Sequence, residues 1–503
     1  MQPKKEAIFA FVIFAQAFVP RLIAQGDLDI KRDQPHYRLV DVGTFGGPVS
    51  LVFGGAGNLD QRKTLVTSCA DTAGLDPDWP NINPFLGEDP YVQHAFRTRR
   101  GRLHDLGVLP GGTSSCGQGI NIHGTVAGFS TNGEIDPLTG YREIHATLWQ
   151  QGKVLDLGTL AGNESYANFI NDRGQITGGA LNAILDAFTT DLFIGATQVH
   201  AFLWEHSIMQ DLGTLGGPDS IGYYVNQRGE VTGQSFTNDI PNETTGMPTL
   251  DPFLWRNGHM LDLGSLGGTE GIPNALNNHS QVVGSSRIAG DETFHPFLWD
   301  KGSMKDLGTF GGSTGVGLSI NDDGAVVGRA NFPGDERWDA FLWRRGVMTD
   351  LGNLGCTSTA LSINAAGQIV GTSRLADCQI QHAVLWENQT IYDLNDLVPA
   401  DSGLELFETH SIEDDGVIAG NGLPPGCDDV HICGHAFLLF PCDVDRGACN
   451  DESLVLELGS NASLETLRIP QTEPSHAPRQ NHTKRRQRGN TGGFSRGARD
   501  VEY

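Results

Sequence analysis

His295-Pro-Phe-Leu-Trp299, Asp300-Lys-Gly302, Ser303-Met-Lys-Asp306-Leu-Gly308, Thr-Phe-Gly-Gly312, then Leu318-Ser-Ile-Asn321, Asp-Asp-Gly324 and Ala-Val-Val-Gly328: this stretch decides the fold. Short apolar runs alternate with turns that contain glycine, which is the pattern of four β-strands. Continuous runs such as Phe-Leu-Trp suit strands covered on both faces. Asn321-Asp-Asp-Gly324 fits a type I turn, with Asn first and Gly fourth. Trp255-Arg-Asn-Gly258 fits the same pattern, and its glycine suits a bulged hairpin loop.

The unit recurs eight times in the 503 residues. Asp-Leu-Gly begins at Asp41 (as Asp-Val-Gly), Asp105, Asp156, Asp211, Asp262, Asp306 and Asp350, with a degenerate copy at Asp393. Ile-Asn-x-x-Gly and close variants place Asn121, Asn171, Asn226, Asn277, Asn321 and Asn364, with weakened copies near Asn58 and Glu413. The His-Ala-Phe-Leu-Trp strand starts at His94, His145, His200, Asp251, His295, Asp339, His382 and His435. A period of this length signals a repeat architecture and overrides a domain count based on length.

The ends of the repeat are complementary. The first copy opens on Tyr37-Arg-Leu-Val-Asp-Val-Gly43 with no His-Ala-Phe strand before it. The last closes on His435-Ala-Phe-Leu-Leu-Phe440 with no Asp-Leu-Gly strand after it. Pairing the two would remove two exposed strand edges, whereas an open stack would need capping units. The expected fold is all-β: a β-propeller of four-stranded blades, eight in number, closed by strand exchange between the termini. Seven blades is the alternative if a degenerate end copy is not a blade. The expected layout is a signal peptide over 1–24, the propeller over 37–440 and a mostly disordered tail over 441–503.

The signal-peptide reading rests on Lys4 and Lys5, the apolar run from Ala7 to Val19, and Ala24 before the cut. That run is too short to span a bilayer as a helix, so no transmembrane segment is expected in the mature chain. An even set of eight cysteines in an exported chain reads as disulfides. Spacing favours Cys69 with Cys116, Cys356 with Cys378, Cys427 with Cys433, and Cys442 with Cys449.

The repeated motif resembles the HAF-repeat family of predicted extracellular bacterial proteins. The match is carried by His200-Ala-Phe-Leu-Trp204, Asp211-Leu-Gly-Thr-Leu-Gly-Gly217 and Ile363-Asn-x-x-Gly-Gln-Ile-Val-Gly371, and it covers residues 37–440. Such membership implies secretion and tandem β repeats, and implies no activity.

Charge narrows the partners. The formal net charge is −26, although residues 470–503 hold seven Lys/Arg against three Asp/Glu. A body this acidic excludes nucleic acid, whose phosphates must be neutralised. Solubility is the plain reading of the acidity, and binding of a cation or a basic ligand is the sharper one. The tail, with Lys484-Arg-Arg486, has the low apolar content of a disordered segment.

Within each unit, 11 residues separate the His-Ala-Phe position from the Asp of Asp-Leu-Gly. A two-residue loop would make them cross-strand neighbours, able to share a charge-assisted hydrogen bond. The loop glycines favour a bulged loop, which would part them onto opposite faces. The Asp would then hold the N–H groups of the Gly-rich turn that follows. Asp251 and Asp339 replace His and face Asp262 and Asp350 in this scheme. Such a carboxylate pair would be relieved by calcium, and no other cofactor is expected. The repeated His and Trp positions read as packing and hydrogen-bonding elements.

In a four-stranded meander, alternate loops fall on opposite faces. The connections between Val-Val-Gly and His-Ala-Phe are long in the first four units, over 68–93, 129–144, 179–199 and 234–250, and short afterwards. Function concentrates where loop length varies. The ligand-face candidates are Asp76, Trp79, Phe85, Glu88, Tyr91, Glu134, Asp136 and Tyr141. Aromatic rings beside carboxylates suit a carbohydrate or a basic peptide. The chain carries no Gly-x-Ser-x-Gly elbow, His-Glu-x-x-His or Walker loop. The reading is therefore a monomeric, secreted binding module for an extracellular protein or carbohydrate. A propeller hydrolase or lyase, or a purely structural surface protein, is the alternative.

Overall fold

The computed structural model describes residues 34–52, 66–80, 82–86, 89–99, 101–186, 197–243, 245–442 and 449. The signal-peptide segment, the Asn58 copy, Glu88 and the basic tail lie outside the described residues.

Two kinds of tight turn build each unit. The Asn-x-x-Gly turn is as expected: Gly324 N–H donates to the Asn321 carbonyl at 3.0 Å, and Gly324 takes the left-handed φ of +74°. The Trp-x-x-Gly turn differs from expectation. Asn257 and Gly258 have φ of +52° and +79°, and Arg256 pairs with His259. This is a two-residue type I′ hairpin, whose twist matches the strands it joins, and no bulge occurs there. The same holds at Lys301-Gly302 and Arg345-Gly346.

The glycine of Val-Val-Gly answers to a close approach. The first strand of a unit carries a bulge opposite it, as between Gly222 and Tyr224. A Cβ on Gly233 would stand 1.8 Å from the Ile221 carbonyl oxygen. The equivalent distance is 2.0 Å at Gly128, 1.9 Å at Gly284 and 2.0 Å at Gly371. Only glycine lets the bulged strand lie this close.

The strands form seven sheets among the described residues, six of four strands and one of eight. The eight-stranded sheet is two four-stranded meanders that meet at a single parallel bridge, Leu250 to Glu270. In chain order the meanders occupy 46–105, 115–156, 161–211, 220–262, 267–306, 315–350 and 355–393, here units 1 to 7. Unit 8 combines Glu405–Ile412, Ile418–Leu423 and His435–Pro441 with the N-terminal strand Tyr37–Asp41. That last pairing is antiparallel and runs from Tyr37 opposite Pro441 to Asp41 opposite Phe437. The two orphan strands therefore complete one sheet.

Neighbouring units are stitched by the turn asparagines. Each side-chain amide donates to the backbone carbonyl of the next unit's turn. Asn121 reaches Asn171, Asn171 reaches Asn226, Asn226 reaches Asn277, Asn277 reaches Asn321, Asn321 reaches Asn364, and Asn364 reaches Glu413, all within 2.8–3.2 Å. The side-chain oxygen of Asn277 accepts the N–H groups of His279 and Gln281 within its own turn. The repeated Asn is thus both turn former and inter-unit rung. Unit 8 packs on unit 1 through Val42, Val52, Phe96, Leu438 and Phe440. Asn421 there exchanges two hydrogen bonds with the backbone of Val52.

The tryptophans Trp149, Trp204, Trp255, Trp299, Trp343 and Trp386 are buried, as read from their periodicity. All four expected disulfides are present. Cys69–Cys116 ties unit 1 to unit 2.

Candidate functional site

The His–Asp pairs come first because they recur in six units. His94, His145, His200, His295 and His382 each place Nδ1 at 2.6–2.9 Å from the Asp 11 residues on, and His435 lies 3.1 Å from Asp41 of the N-terminal strand. The expected separation onto opposite faces is overturned. The loop is two residues long, but it is placed so that Phe202 pairs with Asp211. His200, two residues earlier, shares the Asp211 face and reaches it diagonally. Each Asp also accepts the N–H two residues on, as Gly213 donates to Asp211 at 2.7 Å. Both sequence readings of this Asp hold together.

The pairs act on ionisation. Burial alone disfavours the His145 imidazolium, but the Asp156 hydrogen bond and charge outweigh it and raise the His145 pKa. The Asp393 hydrogen bond raises that of His382. Burial opposes ionisation of Asp105 and Asp211, yet their His partners and glycine N–H groups hold both below the usual carboxylate range.

The two Asp substitutions diverge. Asp339 is met by Arg337 and by the Asn353 amide at 2.7 Å. Asp251 has no such help: it is 7% exposed and its Oδ1 has no hydrogen-bond partner. Burial, then the charge of Asp262, push it up to about 7. Among the described residues no group of three or more His, Cys, Asp or Glu is arranged to hold a metal ion.

The long connections are more informative. In units 1–3 the second strands, Thr67–Leu75, Val126–Ile135 and Ile176–Leu185, run to nine or ten residues, against six or seven in units 4–7. Each breaks register and then pairs again, at Leu75 with Tyr91, Ile135 with Arg142 and Leu185 with Thr197. These three sites are equivalent in the repeat, so units 1–3 carry the same hairpin extension. Its tips hold large apolar side chains in solvent: Leu75 is 66% exposed, Ile135 51%, Leu138 54%, Ile184 57% and Leu185 71%.

The carboxylates singled out from sequence lie inside this layer. Asp76 is buried, accepts the Asp78 N–H at 2.9 Å and receives the Ser114 hydroxyl of unit 2 at 3.2 Å. Asp136 is buried in the same turn one unit on, accepting from Leu138 N–H, the Thr139 hydroxyl and the Asn163 amide of unit 3. Both fasten loops between units. Phe85 packs on Tyr166 at 4.7 Å and on Phe129 at 6.2 Å. Its loop buries Ile82 and Leu86 against Ile144, Leu181, Val199 and Ile221, so it is a plug rather than a ligand platform. Tyr91 and Tyr141 are half-buried, while Trp79 and Glu134 face solvent.

Sequence reasoning missed Glu164 and Asp219, which occupy one repeat position. Glu164 accepts the Asn83 amide at 2.8 Å and leaves its other oxygen unpartnered. Burial, then the Asp136 charge, push it up to about 8. Burial pushes Asp219 up to about 7 in the same way. Neighbouring motifs gave no signal because unit 2 has Ser114 at this position. A cleft of about 230 Å³ lies between the unit 2 loop and the unit 3 hairpin, lined by Asp136, Leu138, Asn163, Asn182, Leu185 and Thr197.

No family model matches the chain, and no curated protein matches it. Solved structures do. One is the β-propeller domain of the Trilobed protease from Pyrococcus furiosus, described as having an open velcro topology. It shares 9% identity at a TM-score of 0.38, over 69% of this chain and 97% of that one. Another is dipeptidyl peptidase 4 of Porphyromonas gingivalis, with 11% identity and a TM-score of 0.39 over 66% of this chain and 54% of that one. TolB from Acinetobacter baumannii shares 10% identity at a TM-score of 0.27, over 63% of this chain and 64% of that one.

Proposed function

We propose that the chain is an extracellular, eight-bladed β-propeller of the HAF-repeat kind, and that it works as a binding module. Its ligand sits on the face that carries the long connections of units 1–4. The observation that carries this reading is the triplicated hairpin extension with its solvent-exposed apolar tips. Large apolar side chains exposed at corresponding ends of three consecutive hairpins go beyond the scattered single exposures that a soluble surface carries. Ring closure is supported by the Tyr37–Asp41 to His435–Pro441 pairing and by the packing of unit 8 on unit 1. Export is supported by the four disulfides, which persist in oxidising compartments. Among the described residues no helix is long and apolar enough to cross a membrane.

The test screens the purified full chain on a glycan array, an extracellular-protein array and a panel of hydrolase substrates. The expected result is a saturable ligand whose binding is lost when Leu75, Ile135 and Leu185 are changed together to Ser. Those side chains are exposed, so the melting temperature should hold. Catalytic turnover, or binding indifferent to the triple change, would overturn the reading.

A further inference from the structure

The charge around the hairpin tips identifies the class of ligand. The described residues of the connections of units 1–4, over 68–93, 129–144, 179–199 and 234–250, contain ten Asp/Glu and one Lys/Arg. That single base, Arg142, is paired with Asp78. The short connections of units 5–7, over 285–294, 329–338 and 373–381, contain five Asp/Glu and four Lys/Arg on the same face. The connections of units 1–4 are therefore strongly negative, those of units 5–7 are nearly balanced, and that of unit 8, over 424–434, adds only two Asp. On the negative connections stand the exposed apolar tips, continued into unit 4 by Ile240 at 70% exposure.

Resting on the binding-module reading, we infer that this surface docks a basic amphipathic polypeptide, in which Leu, Ile, Phe or Trp anchors are flanked by Lys and Arg. Apolar side chains supply the buried area that holds such a complex. Long-range attraction to the acidic connections speeds encounter and selects against acidic partners. Among the described residues the exposed tips are aliphatic apart from Trp79, and they form no row of flat aromatic platforms of the kind that sugar rings stack on. Negative charge beside apolar tips disfavours an anionic membrane surface. The chain's own tail matches the charge through Lys484-Arg-Arg486, but its large aliphatic residues, Leu454 to Ile469, stand 15 or more residues before that cluster, and residues 479–499 offer only Phe494 as a large apolar anchor. The partner is therefore a separate polypeptide.

Calorimetric titration of the full chain tests this with defined probes. These are a short Leu/Lys peptide of helical periodicity, the matching Leu/Glu peptide, an oligolysine of equal charge, a peptide of residues 479–499, and phosphatidylcholine vesicles. The Leu/Lys peptide should bind saturably, at least tenfold more tightly than oligolysine, and more weakly as salt rises. The Leu/Glu peptide should not bind. Changing Leu75, Ile135 and Leu185 to Ser should weaken the Leu/Lys peptide at least tenfold. Glu134→Gln with Asp239→Asn and Glu243→Gln should weaken it several-fold and flatten the salt dependence.

A Leu/Lys peptide that fails to bind, or binds no better than Leu/Glu, overturns the ligand class. Equal binding by the 479–499 peptide assigns the surface to the tail, and vesicle binding through the tips assigns it to lipid; either result also overturns the inference. If the Leu/Lys peptide binds but the tip changes leave it unaffected, the location fails, and the binding-face reading fails with it.

Discussion

Asp251 stands where six of the other seven units carry histidine, and replacing it tests the electrostatics of the repeat. Its carboxyl is buried, lacks a partner on Oδ1 and faces Asp262. A pKa of about 7, against 3.8 for an ordinary Asp, means the folded chain holds this proton more tightly than the unfolded chain does. Near pH 3 both states are protonated and nothing is lost. From about pH 4 to 7 the unfolded chain releases the proton first, so stability falls as pH rises. Above pH 7 the loss is complete, at about 2–4 kcal/mol from a shift of roughly three units. Asp251→Asn removes the ionisation. It should stabilise the protein by about that amount at pH 8, and by well under 1 kcal/mol at pH 4. For roughly 400 ordered residues this is a rise of about 2–5 °C in melting temperature at pH 8. Asp251→His should match the Asn variant at pH 8 and exceed it at pH 6. There a protonated imidazole can meet Asp262 in the geometry that His200 takes with Asp211. Scanning calorimetry at the three pH values makes the comparison. A gain from Asp251→Asn that is equal at pH 4 and pH 8, or absent at pH 8, would refute the reasoning.

The wild-type protein should be most stable near pH 4. The carboxyls of Asp71, Glu164, Asp219 and Asp251 are raised to about 7 or 8, so stability falls as pH rises from about 4, where the unfolded chain begins to ionise, up to those values. His145 and His382, raised by their Asp partners, act in the same sense, while the lowered Asp105, Asp156, Asp211 and Asp393 set the acid limit. Denaturation in urea across pH 3–9 should show the maximum there, and one at pH 8 would contradict these assignments. Asn277→Ala should cost about 2–3 kcal/mol, because it removes the rung to Asn321 and leaves two turn N–H groups without their acceptor. An effect below 0.5 kcal/mol in the same assay would remove the ladder as an element of stability. Gly233→Ala should cost at least about 3 kcal/mol or abolish folding, since its Cβ would meet a backbone oxygen that cannot yield. A soluble, fully stable variant would show that the bulge is adaptable.

Much of this was legible in the chain because the repeat writes each structural demand several times. The periods of Trp204, Asp211 and Asn226 mark a buried strand, a turn and a second turn. The orphan motifs at Tyr37 and His435 announced their own pairing. The hairpin register was harder to read. Gly258 and Gly302 suit a bulged loop and a type I′ loop alike, and the choice rests on backbone twist, which composition does not carry. The ladder was hidden for a different reason. Asn321 satisfies the local rule for a type I turn, so nothing in its own unit calls for a contact with Asn364. The fate of Asp76 and Asp136 could not be read at all. An Asp before Pro in a loop looks exposed, and only the neighbouring unit supplies the Ser114 hydroxyl and the Asn163 amide that draw it inward.

The asymmetry between the two faces explains why length variation is confined to one of them. The Asn rungs and both tight turns lie on the same face, and every rung needs its neighbour at a set distance. An insertion there would break bonds in two units at once. The opposite face carries the Gly-rich loops, each held by an Asp of its own unit, such as Asp211 on Gly213. Insertions between the second and third strands leave the rungs untouched. In units 1 and 2 they have also acquired inter-unit bonds of their own, through Asp76 and Asp136. A lengthened hairpin is therefore anchored at its base while its apolar tip stays free. Three consecutive units lengthened in this way set exposed apolar side chains on one face of a scaffold that did not have to change.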